Sequence, residues 1–165
     1  MSESGYLRVI RSKTAKLFEA SSRLAALLAQ ADSEIEQSCT DYGQALGTAF
    51  QVIDDVLDYD GDVHEMGKNL GDDLREGKAT LPLIIAMQRG TETERLIIQQ
   101  AIETGGAERM EEIIAIVQQT GALQATRDAA ALEAQRAVNA LSGLPQNAYS
   151  QALLNLAAQL LGRRS

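Results

Sequence analysis

One short acidic stretch of the sequence combines residue types and spacing that could bind a metal ion. It reads FQVIDDVLDYDGD over residues 50–62, with five aspartates in nine residues directly after an apolar run. On a helix, Asp54 and Asp58 share a face, Asp55 and Asp58 are also neighbours, and Gln51 lies one turn before Asp54. The pattern therefore predicts a patch of two or three carboxylates and one amide.

This patch is electrostatically unfavourable unless something compensates its charge. Carboxylates four residues apart on a helix repel one another, and they lie near a helix C-terminus, where the helix dipole is negative. A hard divalent cation would resolve both problems, because carboxylate oxygens are its preferred ligands. A solvated acidic surface that binds nothing is the alternative that spacing alone leaves open.

The pattern favours Mg²⁺ over Ca²⁺. An EF-hand loop that began at Asp58 would need glycine at its sixth position and glutamate at its twelfth, but Val63 and Asn69 stand there. Mg²⁺ usually takes one or two carboxylates together with substrate phosphates. The segment MGKN at 66–69 resembles a phosphate-binding P-loop only weakly, since Asn69 replaces the required Ser or Thr.

Three lysines could supply positive charge for a phosphate group. Lys68 and Lys78 lie in a segment at 60–80 with four glycines and six acidic residues, and Lys13 lies on the preceding predicted helix. A connection of this length is commonly functional, although a disordered linker is the alternative. Together the lysines would suit a diphosphate, while each alone could be an ordinary surface lysine. His64, the single histidine, is interpreted as solvated.

The elements that must position these residues are predicted to be helices. The sequence has two prolines and 4% aromatic residues, and strand-type alternation is scarce. Capping boxes at 33–36, with Ser33 as N-cap, and at 91–94 predict helices to about 59 and 104. Further helices are predicted at 5–30, 81–90, 107–119, 122–142 and 147–161. Small or apolar residues recur along one face of the first helix: Leu7, Ile10, Thr14, Leu17, Ser21, Leu24 and Leu28.

Composition and charge exclude several classes of function. The formal net charge of −8 argues against binding to nucleic acid, whose protein partners usually present a basic face. The lone cysteine, Cys39, excludes an internal disulfide and favours a reducing compartment. No apolar run reaches the ~18–20 residues that span a bilayer, and the start lacks a secretory core. These features predict a cytoplasmic protein without an integral membrane segment.

Three stretches resemble motifs of the trans-polyprenyl diphosphate synthases, in the family's order and spacing. They are SKTAKLF at 12–18, GTAFQVIDDVLDYDGD at 47–62 and GKNLGDDLREGKATLPLI at 67–84. The resemblance covers about residues 5–90 and implies an all-α isoprenoid synthase bundle. Residues 1–165 would form the carboxyl-terminal part of a single synthase domain.

The resemblance also implies a reaction. Family members condense an allylic diphosphate with isopentenyl diphosphate and build a long all-trans chain, here for quinone side chains. Mg²⁺ assists departure of the allylic diphosphate, and the isopentenyl double bond attacks the allylic carbocation that is left. A proton is then lost and the cycle repeats.

The resemblance assigns roles residue by residue. Asp54, Asp55 and Asp58 correspond to the second aspartate-rich motif, which holds Mg²⁺, and Asp72 and Asp73 would act behind it or through water. The residues expected to contact substrate are Lys13, Thr14, Phe50, Gln51, Lys68 and Lys78. Of the whole set, those expected to act in catalysis are Lys13, Asp54 and Lys68.

The sequence also departs from the family pattern. Family members are roughly twice as long, and their first aspartate-rich motif and isopentenyl-binding residues are absent here. We therefore expect part of an enzyme that is inactive by itself and assembles as a homo-oligomer or with the missing half. The faces expected to be uncovered contain Leu17, Leu24, Ala45, Phe50 and Ile53. A noncatalytic partner subunit and an unrelated helical interaction protein are the alternatives.

Overall fold

The computed structural model describes residues 1–60, 70–105 and 107–162, and the chain divides into two compact units. The first unit contains Met1–Tyr6 and Asp54–Asp128, and the second contains Leu7–Ile53 and the described residues from Ala129 onward. Lys68 and His64 lie outside the described residues. Every regular element in the described ranges is helical, which confirms the predicted all-α class.

Nine α-helices account for most of the described ranges. They are α1 (Glu3–Ile10), α2 (Lys16–Leu28), α3 (Ser33–Leu57), α4 (Asp72–Arg75), α5 (Leu81–Arg89), α6 (Glu92–Thr104), α7 (Met110–Gln119), α8 (Ala122–Ala140) and α9 (Ala148–Leu161). A π-helical segment, Arg11–Ala15, joins α1 to α2, and short 3₁₀ turns precede α7 and follow α8. The sequence did not predict α4 or the π-helical segment.

One of the two predicted capping boxes forms in the structure and the other does not. Thr91 and Glu94 form the predicted capping box, with the Thr91 side chain accepting from Glu94 N–H and the Glu94 carboxylate accepting from Thr91 N–H. The box at 33–36 is wrong. Asp32 caps α3 instead, because its Oδ1 accepts from the amides of Glu34 and Ile35 at 3.0 and 2.9 Å. An aspartate one residue earlier is an equally strong N-cap.

In the first unit, α5, α6 and α7 pack against one another and α4 packs on α6. α5 is apolar almost all round, as expected of a buried helix, and Pro82 occupies its tolerated first turn. The core combines residues of these helices with the end of α3. Its largest fully buried side chains are Val56, Tyr59, Leu74, Leu83, Ile84, Ile98, Ile113 and Val117.

In the second unit, α3 packs closely on α2 and on α8. A Cβ on Gly43 would meet the carbonyl oxygen of Phe18 at 2.5 Å, and one on Gly47 would meet the Cα of Ala15 at 2.7 Å. These distances show that the two helices approach each other closely at Gly43 and Gly47. The core is rich in alanine because short side chains let helices approach: Tyr42, Ala45, Leu46, Ala49, Ala134, Ala137, Leu141, Ala157 and Leu160.

The π-helical segment Arg11–Ala15, which we call the π turn, corrects the predicted face of the first helix. A π turn inserts an extra residue into an α-helix, and one residue rotates the face by about 100°. The face that contains buried Ile10 therefore continues through Ala15 and Ala26. Leu17 and Leu24 are left exposed as predicted, but Ala45 and Ile53 are buried and were wrongly assigned to the uncovered surface.

Candidate active site

The predicted site residues fall into two groups, one in each unit. We call Lys13, Thr14, Phe50 and Gln51 the lysine–threonine cluster, which lies in the second unit. Asp54, Asp55, Asp58, Asp72, Asp73 and Lys78 form the aspartate cluster, which lies in the first unit.

The lysine–threonine cluster is built on the π turn. The Thr14 hydroxyl donates a hydrogen bond of 2.9 Å to Gln51 Oε1, and Ala15 is fully buried at the glycine contact with α3. Lys13 directly precedes Thr14 in the π turn, and its side chain is exposed to solvent. The local structure thus fixes the backbone on both sides of Lys13 while its ammonium group can reach a ligand. π-helical turns are rare and are often found at functional sites.

Phe50 is half-buried and contacts Phe18 of α2. The ring centroids are 5.5 Å apart and the ring planes are tilted by 38°, an ordinary geometry for an aromatic pair. The contact fixes the Phe50 ring within the second unit. The aromatic ring therefore has a defined orientation beside Gln51, its neighbour in the chain.

The structure separates the two adjacent aspartates of the aspartate cluster. Asp54 is exposed, whereas Asp55 is 2% exposed and accepts a hydrogen bond of 2.5 Å from the Tyr6 hydroxyl. Consecutive residues on a helix point about 100° apart, so one carboxylate faces solvent and the other faces the core. The Asp54 carboxylate is therefore accessible from solvent and the Asp55 carboxylate is not. The metal-binding roles predicted for both stay predictions.

Asp58 stabilises the start of α4. Its two carboxylate oxygens accept from the backbone N–H groups of Asp72 and Asp73 at 3.1 and 3.2 Å, and its backbone carbonyl accepts from Gly71 at 2.9 Å. Burial and the nearby Asp73 carboxylate raise the pKa of Asp58 to about 6, although the two amide hydrogen bonds oppose that shift. Asp58 thus links the start of α4 to the end of α3.

Lys78 lies within the aspartate cluster and is held by acidic neighbours. Its Nζ donates to Asp73 Oδ1 at 2.8 Å and forms a second ion pair with Glu76 at 2.6 Å. These two hydrogen bonds raise the pKa of Lys78 above its usual range. Lys78 therefore remains protonated at neutral pH, and it would have to exchange these carboxylates for a diphosphate to bind substrate. Lys68, its predicted partner, lies outside the described residues.

The aspartate cluster offers Asp54 and Asp58 as carboxylates that could take part in binding a divalent cation. Within the described ranges, no three His, Cys, Asp or Glu side chains converge as a metal site. Asp54 and Asp58 lie one turn apart, and the amide of Asp58 still donates to the Asp54 carbonyl at 3.2 Å. One or two carboxylates are what Mg²⁺ takes from proteins when substrate phosphates complete its coordination.

Two contributors to the site region were missed from the sequence. Tyr6 lies 49 residues from its partner Asp55, and the only signal for it is that it stands one turn before the apolar Ile10. Glu133 of α8 binds Arg11, the first residue of the π turn, at 2.9 Å across 122 residues of sequence. Nothing in the local pattern of either segment indicates these pairings.

The sequence matches the polyprenyl synthetase family over residues 1–120. This chain belongs to that family. A polyprenyl synthetase relative, the octaprenyl diphosphate synthase of Haemophilus influenzae, is 48% identical over 157 residues, which are 94% of this chain and 48% of the relative. The octaprenyl diphosphate synthase of Escherichia coli is 47% identical over 158 residues, which are 95% of this chain and 49% of the relative.

Solved polyprenyl synthetase structures share the fold. A decaprenyl diphosphate synthase from Rhodobacter capsulatus superposes with a TM-score of 0.90 at 41% identity, covering 98% of this chain and 50% of that one. A Caulobacter crescentus polyprenyl synthase, complexed with calcium and isoprenyl diphosphate, gives a TM-score of 0.91 at 41% identity. The match covers 100% of this chain and 51% of that one. The chain spans about half the length of the relatives it matches, and it corresponds to their carboxyl-terminal half.

Among the helices of the described ranges, none combines the length and the apolar character that crossing a bilayer would need.

Proposed function

We propose that this chain forms part of the active site of a long-chain all-trans polyprenyl diphosphate synthase, of the octaprenyl type. The enzyme would condense an allylic diphosphate with isopentenyl diphosphate to make the side chain of a quinone. The observation that carries the proposal is the π turn, which presents an exposed Lys13 beside the Thr14–Gln51 pair in a chain of the polyprenyl synthetase family.

In this proposal the lysine–threonine cluster binds the diphosphate of the allylic substrate. The Lys13 ammonium group would supply positive charge to phosphate oxygens, and Lys78 and Lys68 would add to it. Hydrogen bonds from a charged donor to a charged acceptor are about twice as strong as those between neutral groups. Phe50 would face the allylic cation with its ring, as aromatic faces attract cations.

The aspartate cluster is proposed to hold Mg²⁺. Asp54 would be the first ligand, because its carboxylate is exposed, and Asp58 would be the second. We assign Asp55 a structural role through its hydrogen bond from Tyr6. When bound, Mg²⁺ would act as a Lewis acid and stabilise the departing diphosphate. Calcium together with isoprenyl diphosphate in the Caulobacter crescentus relative supports a divalent metal at this kind of site.

The partner is proposed to be the other half of the family fold, in the same or a second polypeptide, or another copy of this chain. The exposed leucines of α2, Leu17, Leu24 and Leu28, offer an apolar surface for it. A noncatalytic subunit that pairs with a complete synthase is the second candidate, and the half-length match favours it over an unrelated protein. We further propose a cytoplasmic location, on the basis of the lone cysteine.

Substrate binding with and without metal tests the proposal. Calorimetry with farnesyl diphosphate should give at least tenfold tighter binding in Mg²⁺ than in EDTA. Asp54→Ala should remove most of that difference, because it deletes the exposed carboxylate. Asp41→Ala is the matched control, since Asp41 is an exposed aspartate on the same helix, and it should behave as wild type. Equal affinity in both buffers, with a folded protein, would count against the metal site.

A further inference from the structure

Glu133 of α8 is a buried charge that the proposed reaction does not use. The residue is 7% exposed. Its Oε1 accepts from Arg11 Nη2 at 2.9 Å, and both oxygens accept from Arg136 Nη1 at 3.0 Å. Removing a carboxylate from water is costly even when it is paired, so a buried ion pair is weak evidence for a role in stability. Its better-attested use is to specify one arrangement of the elements that it joins.

The element that Glu133 joins to α8 is the π turn. Arg11 is the first residue of that turn, and its ion pair crosses 122 residues of sequence. The last two residues of the turn are held by α3, through the Thr14–Gln51 hydrogen bond and the contact of Ala15 with Gly47. The turn is thus fixed at both ends by helices of the second unit, and Lys13 lies between the two anchors.

A π turn needs such anchors because the ordinary α-helix competes with it. Its hydrogen bonds span five residues instead of four, and it occurs mostly as single turns inside α-helices. If the turn relaxed to α-helical geometry, the residues on one side would shift by one position, or about 100° around the axis. Lys13 would then point in a different direction relative to Thr14 and Gln51.

We propose that Glu133 is a positioning residue for the diphosphate site. Through Arg11 it holds the π turn, and the π turn in turn aims the Lys13 ammonium group at the diphosphate. Glu133 does not itself touch substrate in this arrangement. The inference rests on the proposed function, because it assigns Lys13 to diphosphate binding.

A double-mutant cycle tests the inference. Binding of inorganic pyrophosphate with Mg²⁺ is measured for wild type, Glu133→Gln, Lys13→Ala and the double variant. Glu133→Gln keeps the shape and removes the charge, and we expect it to weaken binding about five- to tenfold. When Lys13 is already alanine, Glu133→Gln should change the affinity less than twofold. The effects of two substitutions do not add when one residue acts through the other. A purely structural loss would instead weaken binding equally in both backgrounds.

Amide hydrogen exchange provides a readout that needs no ligand. Glu133→Gln should speed exchange at residues 11–16 more than elsewhere in the second unit. Glu36→Gln is the matched control, since Glu36 pairs with Arg23 at 2.7 Å and joins α2 to α3 without touching the π turn. Arg11→Gln, which leaves Glu133 paired with Arg136, should reproduce the effects of Glu133→Gln and replaces it if that variant does not fold.

The outcomes separate this inference from the proposed function. Binding that depends on Lys13 but not on Glu133 or Arg11 would overturn the inference alone, as would unchanged exchange at the π turn or equal losses in both backgrounds. No pyrophosphate binding by the wild-type chain would overturn the proposed function and the inference with it. Coupled losses together with faster exchange at the π turn would support both.

Discussion

The hydroxyl of Tyr6 donates a hydrogen bond of 2.5 Å to Asp55 Oδ2, and both side chains are almost completely buried. Burial and the neighbouring Asp55 carboxylate raise the pKa of Tyr6 well above its usual range, so the phenol remains a donor at neutral pH. The bond joins α1 to the end of α3 within the first unit. It explains why one aspartate of an adjacent pair is buried while the other is exposed to solvent.

Tyr6→Phe should destabilise the protein by about 1–3 kcal/mol. The variant keeps the ring and removes the hydroxyl that donates to Asp55, and hydrogen bonds to charged groups contribute about 1.5–3 kcal/mol. Urea unfolding measures the change. Tyr149→Phe is the control, since Tyr149 is 83% exposed and should cost nothing measurable. Equal stability of both variants would show that the Tyr6–Asp55 bond contributes little.

Asp58 should make the metal-free protein less stable as the pH rises from about 4 to 6. Its pKa is raised to about 6 in the folded state from about 3.9 in an unfolded chain. Between these values the folded state binds more protons, so the free energy of unfolding falls with increasing pH. In Asp58→Asn the free energy of unfolding should therefore fall less between about pH 4 and 7 than it does in the wild type.

The free energy of unfolding of wild type and Asp58→Asn is measured against pH in EDTA. The slopes are compared rather than the absolute values, because asparagine also alters the hydrogen bonds at the start of α4. Asp41→Asn, an exposed site on the same helix, should keep the wild-type slope. A wild-type slope in Asp58→Asn would contradict the prediction.

Gly47→Ala should be destabilising even though alanine is the better helix former. Alanine gains about 1 kcal/mol over glycine inside a helix, but here its Cβ would lie 2.7 Å from the Cα of Ala15. Backbone cannot move aside as a side chain can, and overpacking costs about 1–3 kcal/mol. Thermal unfolding of Gly47→Ala and Gly162→Ala compares the two cases, since a Cβ on Gly162 meets nothing closer than 3.6 Å. An increase in Tm for Gly47→Ala would refute the contact.

This chain alone should not elongate prenyl chains at a measurable rate. The resemblance to the family implies a first aspartate-rich motif and isopentenyl-binding residues that this sequence does not contain. Under the proposed function, the reactants would then not be held in a reactive geometry. Incubation with labelled isopentenyl diphosphate and farnesyl diphosphate is the assay, with a full-length relative as the positive control. Long prenyl products formed by the purified chain would overturn the expectation.

The exposed face of α2 should drive association. Leu17, Leu24 and Leu28 are 71%, 55% and 84% exposed, and contiguous apolar patches above a few hundred Å² are unusual on monomers. Burying apolar surface between two molecules would stabilise their association by about 25 cal/mol per Å². Light scattering across a dilution series should show a homodimer or a larger assembly. Leu17→Lys with Leu24→Lys should weaken it at least tenfold, and Leu132→Lys, at an exposed leucine of α8, should not. A compact wild-type monomer at tens of micromolar that binds no hydrophobic dye would contradict this prediction.

The sequence by itself determined the features that depend on neighbours along the chain. Helical periodicity and capping located most helices, and the Thr91–Glu94 box was confirmed in detail. The three motifs, read in order, indicated the family, which the match over residues 1–120 confirms. The roles given to the individual site residues stay predictions.

Tertiary structure alone decided which residues of each pattern face the core. The π turn rotated the apolar face of the first helix, and the Tyr6–Asp55 bond buried one aspartate of a pair that looks equivalent in sequence. Asp58 caps α4, and Glu133 holds Arg11 across 122 residues. No local pattern specifies these pairings, because their partners are distant in the chain. Burial and hydrogen bonding depend on what packs against a side chain, and only the folded chain brings those groups together.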